Sequence, residues 1–312
     1  MSGERRGKAL LAPADLLEFK AHTRRKLNVH EKYLRQCIKF ANFCYVDTHG
    51  GTGLIKINEQ VIEGSAVKAA EISPSTPIYV IEVDPHKVQR LRLVAKEKNL
   101  SLLNIIEGDC NIEVPILLKE EIEPGQRFIL FFVDPDSYIY RESGQRILEF
   151  SPLLFDTITM FPRSEILFTL ILQGTRVGSY CFKRPFDPKA PAMGKALEAT
   201  LGTGIIQWLE TNQLYRLHHL LLEWFLSKYI KTQPRHRYKY AGALLINSSR
   251  GVPQYYLVFG TNNQTGAEIM RNVMKTEWKN QSGQTEVITP PLDLFVFDDR
   301  LMSPRLLDIL KN

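Results

Sequence analysis

The sequence predicts an α/β fold: a doubly wound, mostly parallel Rossmann-like sheet with a terminal antiparallel hairpin and a helical insertion. Three observations predict it. Five short apolar segments recur, at Phe43–Asp47, Ile78–Glu82, 103–106, 128–134 and 165–172. Each is apolar at successive positions rather than alternating, as in strands covered on both faces. Most are separated by helical or turn-rich stretches, and strands alternating with helices build parallel sheets.

Taken in order, residues 1–40 read as a basic helical leader. Within it, 14–25 carries Leu16, Leu17 and Phe19 among charges, and 30–40 sets Tyr33, Leu34, Cys37, Ile38 and Phe40 at helical spacing. A core over 41–172 follows. After its first strand, 54–62 reads as a small strand-turn-strand excursion, and a helix then starts at Gly64-Ser65 with Ser65 as N-cap. Between the second and third strands, 86–99 places Val88, Leu91, Val94 and Ala95 on one helical face.

Residues 173–239 break the rhythm. Gly174, Gly178, Lys183-Arg184-Pro185, Pro188 and Pro191 are loop chemistry. Leu214, Leu217, Leu220, Leu221 and Trp224-Phe225 then recur at amphipathic spacing, so the region reads as a helical insertion or lid. Residues 240–280 close the core: Tyr240–Asn247 and 254–260 form a hairpin around Ser248-Ser249-Arg250-Gly251-Val252-Pro253, followed by a helix at 265–279. Residues 281–312 form a tail with a short helix at 303–311.

Composition narrows the class. Apolar residues are 44% and charged residues 24%, which is ordinary globular chemistry. The longest unbroken apolar run is Phe128–Val133, far short of the ~20 residues that span a bilayer, so no membrane partner is expected. Ala9-Leu10-Leu11-Ala12 is too short for a signal-peptide core. Cys37, Cys44, Cys110 and Cys181 stand singly with no ligand spacing, which excludes a disulfide framework, argues against a zinc site and leaves a reducing, cytoplasmic compartment as the expectation. Lys and Arg number 40 against 34 Asp and Glu. Residues 1–40 hold ten of those bases and four acids, so the whole excess sits there and faces something anionic.

The chemistry concentrates at the strand ends. The first strand runs into Asp47-Thr48-His49-Gly50-Gly51-Thr52-Gly53. An acid followed by glycines lets backbone approach a ligand while the carboxylate stays behind it, a device shared by dinucleotide and S-adenosylmethionine sites. A dinucleotide site wants the glycines to open a helix directly, so that its N-terminus meets the pyrophosphate. Here the helix is delayed to Gly64-Ser65, which favours S-adenosylmethionine, a ligand without phosphate. The second strand ends Glu82-Val83-Asp84-Pro85, the third Asp109-Cys110-Asn111, and the fourth Asp134-Pro135-Asp136-Ser137-Tyr138. Glu82 can accept ribose hydroxyls and Asp109 an adenine amine, while Asp47, Gly50, Gly51 and Gly53 line the methionine end. Singly, Asp47 is a solvated terminus, Glu82 and Asp84 helix caps, Asp109 and Asn111 turn formers and His49 a turn residue. Their coincidence at one sheet edge is what points to a nucleotide-type site.

The runs Tyr45-Val46-Asp47, Gly50-Gly51-Thr52-Gly53, Gly64-Ser65 and Phe132-Val133-Asp134-Pro135 resemble the three-Cys-motif partner family (TcmP-like). Tyr255-Tyr256-Leu257-Val258-Phe259-Gly260-Thr261-Asn262 and Gly266-Ala267-Glu268-Ile269-Met270 extend that resemblance over about residues 25–280. The family resembles a branch of the class I S-adenosylmethionine-dependent methyltransferases and is named for a neighbouring protein that holds the cysteines. Its first motif commonly reads D-x-F-A-G-x-G; this chain matches at Asp47, Gly51 and Gly53 and departs at His49 and Gly50.

The resemblance implies a methyltransferase using S-adenosylmethionine, with a partner protein. Enzymes acting on nucleobase amines resemble this chain in placing an acid and Pro at the fourth strand end. That implies Asp134 as acceptor of the amine hydrogens, Pro135 as the fixed turn and Tyr138 as the stacking platform, although Asp136-Ser137 replaces the second Pro of the D-P-P-Y pattern. Arg24-Arg25-Lys26 and Arg235-His236-Arg237-Tyr238-Lys239-Tyr240 interleave bases with aromatics, which suits a nucleic-acid partner; a solvated basic face is the plainer account. A catalytically inactive methyltransferase-fold binding module acting with a partner protein is the alternative, and a nicotinamide-dependent dehydrogenase ranks last.

Overall fold

A computed structural model describes residues 18–19, 21–122, 127–137, 139–142, 145–212, 217–231, 238–283 and 294–297. In chain order the first elements are β1 (Glu18–Phe19), α1 (Ala21–Cys37), β2 (Phe43–Asp47), β3 (Leu54–Ile57), β4 (Gln60–Glu63) and α2 (Ser65–Ile72). They continue with β5 (Ile78–Glu82), α3 (Pro85–Glu97), β6 (Leu103–Glu107), α4 (Cys110–Glu120), β7 (Phe128–Val133), β8 (Ile139–Glu142) and β9 (Gln145–Leu148). Next come α5 (Pro152–Thr159), β10 (Ser164–Ile171), α6 (Gln173–Lys183), α7 (Ala190–Leu201), α8 (Ile205–Thr211) and α9 (Leu217–Phe225), which runs into a π-helical turn, Leu226–Lys231. The chain closes with β11 (Tyr240–Asn247), β12 (Pro253–Thr261), α10 (Gln264–Ser282) and β13 (Leu294–Phe297).

Eight strands form the central sheet in the order β13-β11-β12-β10-β7-β2-β5-β6. Only β12 runs against its neighbours; every other pairing in this sheet is parallel. The expected α/β fold with a mostly parallel sheet and a terminal antiparallel hairpin is what the chain adopts. From β2 the chain winds out through β5 to β6, then returns to β7 on the other side and moves outward to β10. The reversal between β2 and β7 opens a crevice at their carboxyl ends, where α/β sheets take ligands.

The central strands are apolar on successive positions because helices cover both faces: β2 is buried at every residue and β10 at all but its last. α1 packs against α2 and α10, and α4 packs against α5. Phe155, Phe168 and Phe225 close the layer between sheet and insertion, with Phe168 and Phe225 stacked 4.7 Å apart. Burying each such ring is worth roughly 1.5–3 kcal/mol.

Within residues 1–40, α1 is helical as expected and buries Val29, Tyr33, Leu34 and Cys37 in the core. Three expectations need correcting. Within 14–25, Glu18–Phe19 is extended and pairs in parallel with β3. Ser65 does not cap α2; Gly64 holds the cap position and Ser65 is already helical. Gly174 and Gly178 lie inside α6 rather than in a loop. A Cβ at Gly178 would come 2.4 Å from Leu209 Cδ1, so this glycine lets two helices touch. The tail contributes β13, an edge strand beside β11; the expected helix at 303–311 lies outside the described residues.

Candidate functional site

A cavity of about 280 Å³ opens at the carboxyl ends of β6, β5, β2 and β7. Those four strands are adjacent in the sheet, so their ends form a line. Asp109 stands at the β6 end, Glu82 and Asp84 at β5, Thr48 to Gly53 at β2, and Asp134 and Asp136 at β7. α1 closes one side with Thr23, Lys26 and Leu27, beside Ile55 of β3.

The loop after β2 is held by backbone bonds to both neighbouring strands. Thr48 N donates to Phe132 O at 3.0 Å and Gly50 N to Ile81 O at 2.9 Å. Gly51 and Gly53 take φ of +61° and +79°, the left-handed region that a Cβ disfavours. The turn leads into the β3–β4 hairpin, and Gly64 N returns to Gly53 O at 2.8 Å.

Asp47 does not line the cavity. It is fully buried beneath the loop, accepting from Tyr45 OH at 3.1 Å, from His49 N at 3.2 Å and from the Ser65 side chain. Burial raises its carboxyl to about 6. Tyr45 OH gives its proton to Asp47, so the 2.8 Å contact with His30 requires Nε2–H of His30 to donate. His30 is itself buried and its pKa is lowered to about 3, mainly by desolvation.

Glu82 is buried and its two oxygens already serve the protein. Oε2 accepts from Gly51 N at 2.8 Å and Oε1 from Asp84 N at 3.0 Å. Asp84 caps α3, accepting from His86 N at 2.8 Å. Asp109 caps α4, accepting from Asn111 N and Asn111 Nδ2, both at 2.8 Å. The capping account of Asp84 and Asp109 is thus correct as local structure, while both also face the cavity.

At the β7 end, Asp134 is gripped by Lys26, whose Nζ lies 2.6 and 2.5 Å from its two oxygens. Pro135 is buried and does not line the cavity. Asp136 pairs with Lys87 of α3 at 3.2 Å, across the mouth. Ser137 donates through N and Oγ to the Glu149 carboxylate, at 3.0 and 2.6 Å. Tyr138 lies outside the described residues. His49 spans Thr48 Oγ1 at 2.8 Å and Glu149 O at 3.0 Å. A carbonyl only accepts, so Nε2 donates to Glu149 O.

Lys26, Lys87 and Glu149 are the charged lining residues that sequence reasoning missed. Lys26 was placed on a nucleic-acid face, yet its position on α1 turns it into the cavity. No motif marks it; a base on the helix that packs beside the fourth strand end was the available signal. The rest of the expected nucleic-acid surface also changes. Tyr238 and Tyr240 are core residues, Tyr238 bonded through its OH to Ser164 Oγ at 3.2 Å, so neither ring is a stacking platform. Arg235 and Arg237 lie outside the described residues. Arg24 bonds Gln60, and Arg25 is taken up by Asn247 O and Gln281 Oε1. Among the described residues, nothing from the 173–239 insertion lines the cavity.

Six carboxylates against two lysines give the lining a strongly negative field. Among the described residues, no helix is long and apolar enough to cross a membrane, and no cluster of three or more His, Cys, Asp or Glu is arranged to hold a metal.

No family model matches the sequence, and no curated protein matches it. Among solved structures, the chain is similar to a Klebsiella pneumoniae protein assigned as an O-methyltransferase, at 13% identity, 84% of this chain, 92% of that one and a TM-score of 0.44. It is similar to TomG of Streptomyces achromogenes, an O-methyltransferase of tomaymycin synthesis in complex with SAM, at 13% identity, 77% of this chain, 80% of that one and a TM-score of 0.40. M. jannaschii TYW2 in complex with AdoMet follows at 13% identity, 72% of each chain and a TM-score of 0.32. The fold assignment stands on the strand order itself, not on these likenesses.

Proposed function

We propose that this chain is an S-adenosylmethionine-dependent methyltransferase. The observation that carries the reading is the linear order of polar groups along the cavity floor: Asp109, Glu82, the Gly50-Gly51-Thr52-Gly53 loop, then Asp134. Adjacent strands lie ~4.8 Å apart, so these four ends span about 14 Å, enough for a purine, a ribose and an amino-acid tail laid end to end. In this reading Asp109 takes the adenine amine, Glu82 the ribose hydroxyls, and Gly50, Gly51 and Gly53 the methionine end. Asp47 holds the loop from beneath and touches no ligand.

The donor set fits the ligand. S-adenosylmethionine carries a sulfonium and an ammonium against one carboxylate, and an acid-rich cavity attracts a net cation. Bound there, it supplies an electrophilic methyl group. The dinucleotide reading fits less well: the β3–β4 hairpin separates the glycines from α2, so that helix does not open at the loop to receive a pyrophosphate.

The resemblance to the three-Cys-motif partner family supports the same class and adds a partner protein as its corollary. One observation favours a non-catalytic binding module as second reading: both oxygens of Asp134, the acid expected to receive an amine acceptor, are held by Lys26.

Calorimetric titration with S-adenosylmethionine, S-adenosylhomocysteine and NAD side by side tests the proposal. Binding of the first two is expected; binding of NAD alone overturns it. Labelled-methyl transfer to endogenous acceptors separates enzyme from binding module.

A further inference from the structure

The β7 end of the cavity differs in chemistry from the rest. Lys26 Nζ is fixed by both oxygens of Asp134 and lies 5.5 Å over the ring of Tyr255. The side chains of this pair are only 13% and 17% exposed, so the ammonium is held in place rather than sampling solvent. An ammonium has three N–H donors, and among the described residues Asp134 is its only hydrogen-bond partner. Beside it, Leu27 and Ile55 supply an apolar wall and belong to a small buried cluster with Ile57.

That arrangement sorts acceptors. A neutral amine needs a group that accepts its hydrogens, and the Asp134 oxygens are already engaged by a donor. An ammonium aimed at the site offers nothing to an N–H and repels a protonated amine. It is instead a strong donor to an oxygen that carries negative charge. We propose that the β7 end is an acceptor subsite for an ionisable hydroxyl on a flat apolar body, a phenol or enol, with its oxygen held by Lys26 and its body against Leu27 and Ile55. The proposal rests on the reading of the other end as the S-adenosylmethionine site.

The hydroxyl proton leaves to water as the oxygen settles on the ammonium. An oxygen lone pair then forms the O–CH3 bond while the C–S bond breaks, and the sulfur keeps that electron pair. Asp134 is a positioning residue here: it fixes Lys26 by accepting at both oxygens, and makes no contact with the acceptor.

The test is spectroscopic. Protein saturated with S-adenosylhomocysteine is titrated with 4-nitrophenol, whose ionised form absorbs separately from its neutral form, and with 4-nitroaniline, of the same shape with an amine. The phenol is expected to bind as the phenolate and the aniline to bind about tenfold or more weakly. Lys26→Met should weaken phenolate binding about tenfold or more while calorimetry shows S-adenosylhomocysteine binding unchanged, and Lys26→Arg should restore most of it. Equal binding of the aniline, binding of the phenol in neutral form, no phenol binding, or an unaffected Lys26→Met variant each overturns the proposal. If S-adenosylhomocysteine fails to bind the wild type, the cofactor reading has failed, and the same phenolate titration on the protein alone decides the subsite. The phenol and aniline comparison needs no variant, so it stands even if Lys26→Met does not fold.

Discussion

Lys26 and Asp134 lie 108 positions apart in the sequence, yet the ammonium of one sits 2.6 and 2.5 Å from the two oxygens of the other. The pair ties α1 to the end of β7 at little exposure, where removing one partner strands the other. Asp134→Ala or Lys26→Ala should therefore each cost about 1–3 kcal/mol in urea unfolding. The double variant should cost less than the sum. Additivity within about 0.5 kcal/mol means that the two are not energetically coupled.

Glu82 offers a sharper test of ligand binding. Its carboxylate faces two backbone donors, Gly51 N and Asp84 N. Glu82→Gln points an amide NH2 at one of them and removes the charge offered to a ribose. S-adenosylmethionine affinity should fall by about ten- to a hundredfold by calorimetry, the range for a charged acceptor. Unchanged affinity in a folded Glu82→Gln variant removes the ribose assignment.

The buried chain His30–Tyr45–Asp47 predicts two opposing pH effects. Asp47 is raised from 3.8 to about 6, so the native state keeps a proton that the unfolded chain has released. Its contribution is fully present below 3.8 and is lost as pH rises to about 6, worth on the order of 3 kcal/mol. His30 is lowered from 6.5 to about 3, so its contribution is present above 6.5 and is lost as pH falls towards 3. Between about pH 4 and 6 the two slopes oppose each other. Against the wild type, Asp47→Asn should make stability rise more with pH there, and His30→Gln should make it fall more. Glu165, raised to about 7 by burial, adds a further fall from 4.5 upward that is common to all three proteins. Urea unfolding at stepped pH reads the differences; reversed signs refute the assignment.

The two left-handed glycines should respond differently to a methyl group. At Gly51 a Cβ meets nothing within 4 Å, so Gly51→Ala carries only the backbone penalty, about 1–2 kcal/mol. That methyl projects into open space beside the cavity and should cut S-adenosylmethionine affinity. At Gly53 the Cβ lies 2.7 Å from Leu91 Cδ1, a buried core atom, so Gly53→Ala adds overpacking of about 1–3 kcal/mol. Thermal unfolding should rank Gly53→Ala below Gly51→Ala. The opposite order shows that Leu91 yields.

What could be read from the sequence follows from what is local. Strands β2, β5 and β7 announce themselves because burial on both faces forces unbroken apolar runs, and the acids at their ends share a register that periodicity exposes. Helix α6 escapes the sequence because Gly174 and Gly178 read as loop residues, while packing decides: Gly178 is where Leu209 approaches. The site divides the same way. Glu82, Asp109 and the glycines belong to strand ends and could be found in sequence, whereas Lys26 acquires its meaning only when α1 folds back beside β7. Tyr238 shows the converse, since a ring among bases looks exposed until its contact with Gly260 places it in the core.

α1 is fastened at its start by Glu18 and Phe19 pairing with Lys56 and Ile57, and along its length by Arg25 reaching Asn247 and Gln281. It is also the part of the chain that supplies Thr23, Lys26 and Leu27 to the cavity. Proteolytic trimming that removed the first 27 residues would spare the eight-stranded sheet, Glu82 and Asp109, but strip one wall and leave Asp134 without its counter-ion. The shortened product would keep the Glu82 and Asp109 end of the cavity and lose the Lys26 end. Calorimetry with S-adenosylhomocysteine on that fragment, set beside its 4-nitrophenol titration, separates the two ends: the first binding should persist and the second should vanish.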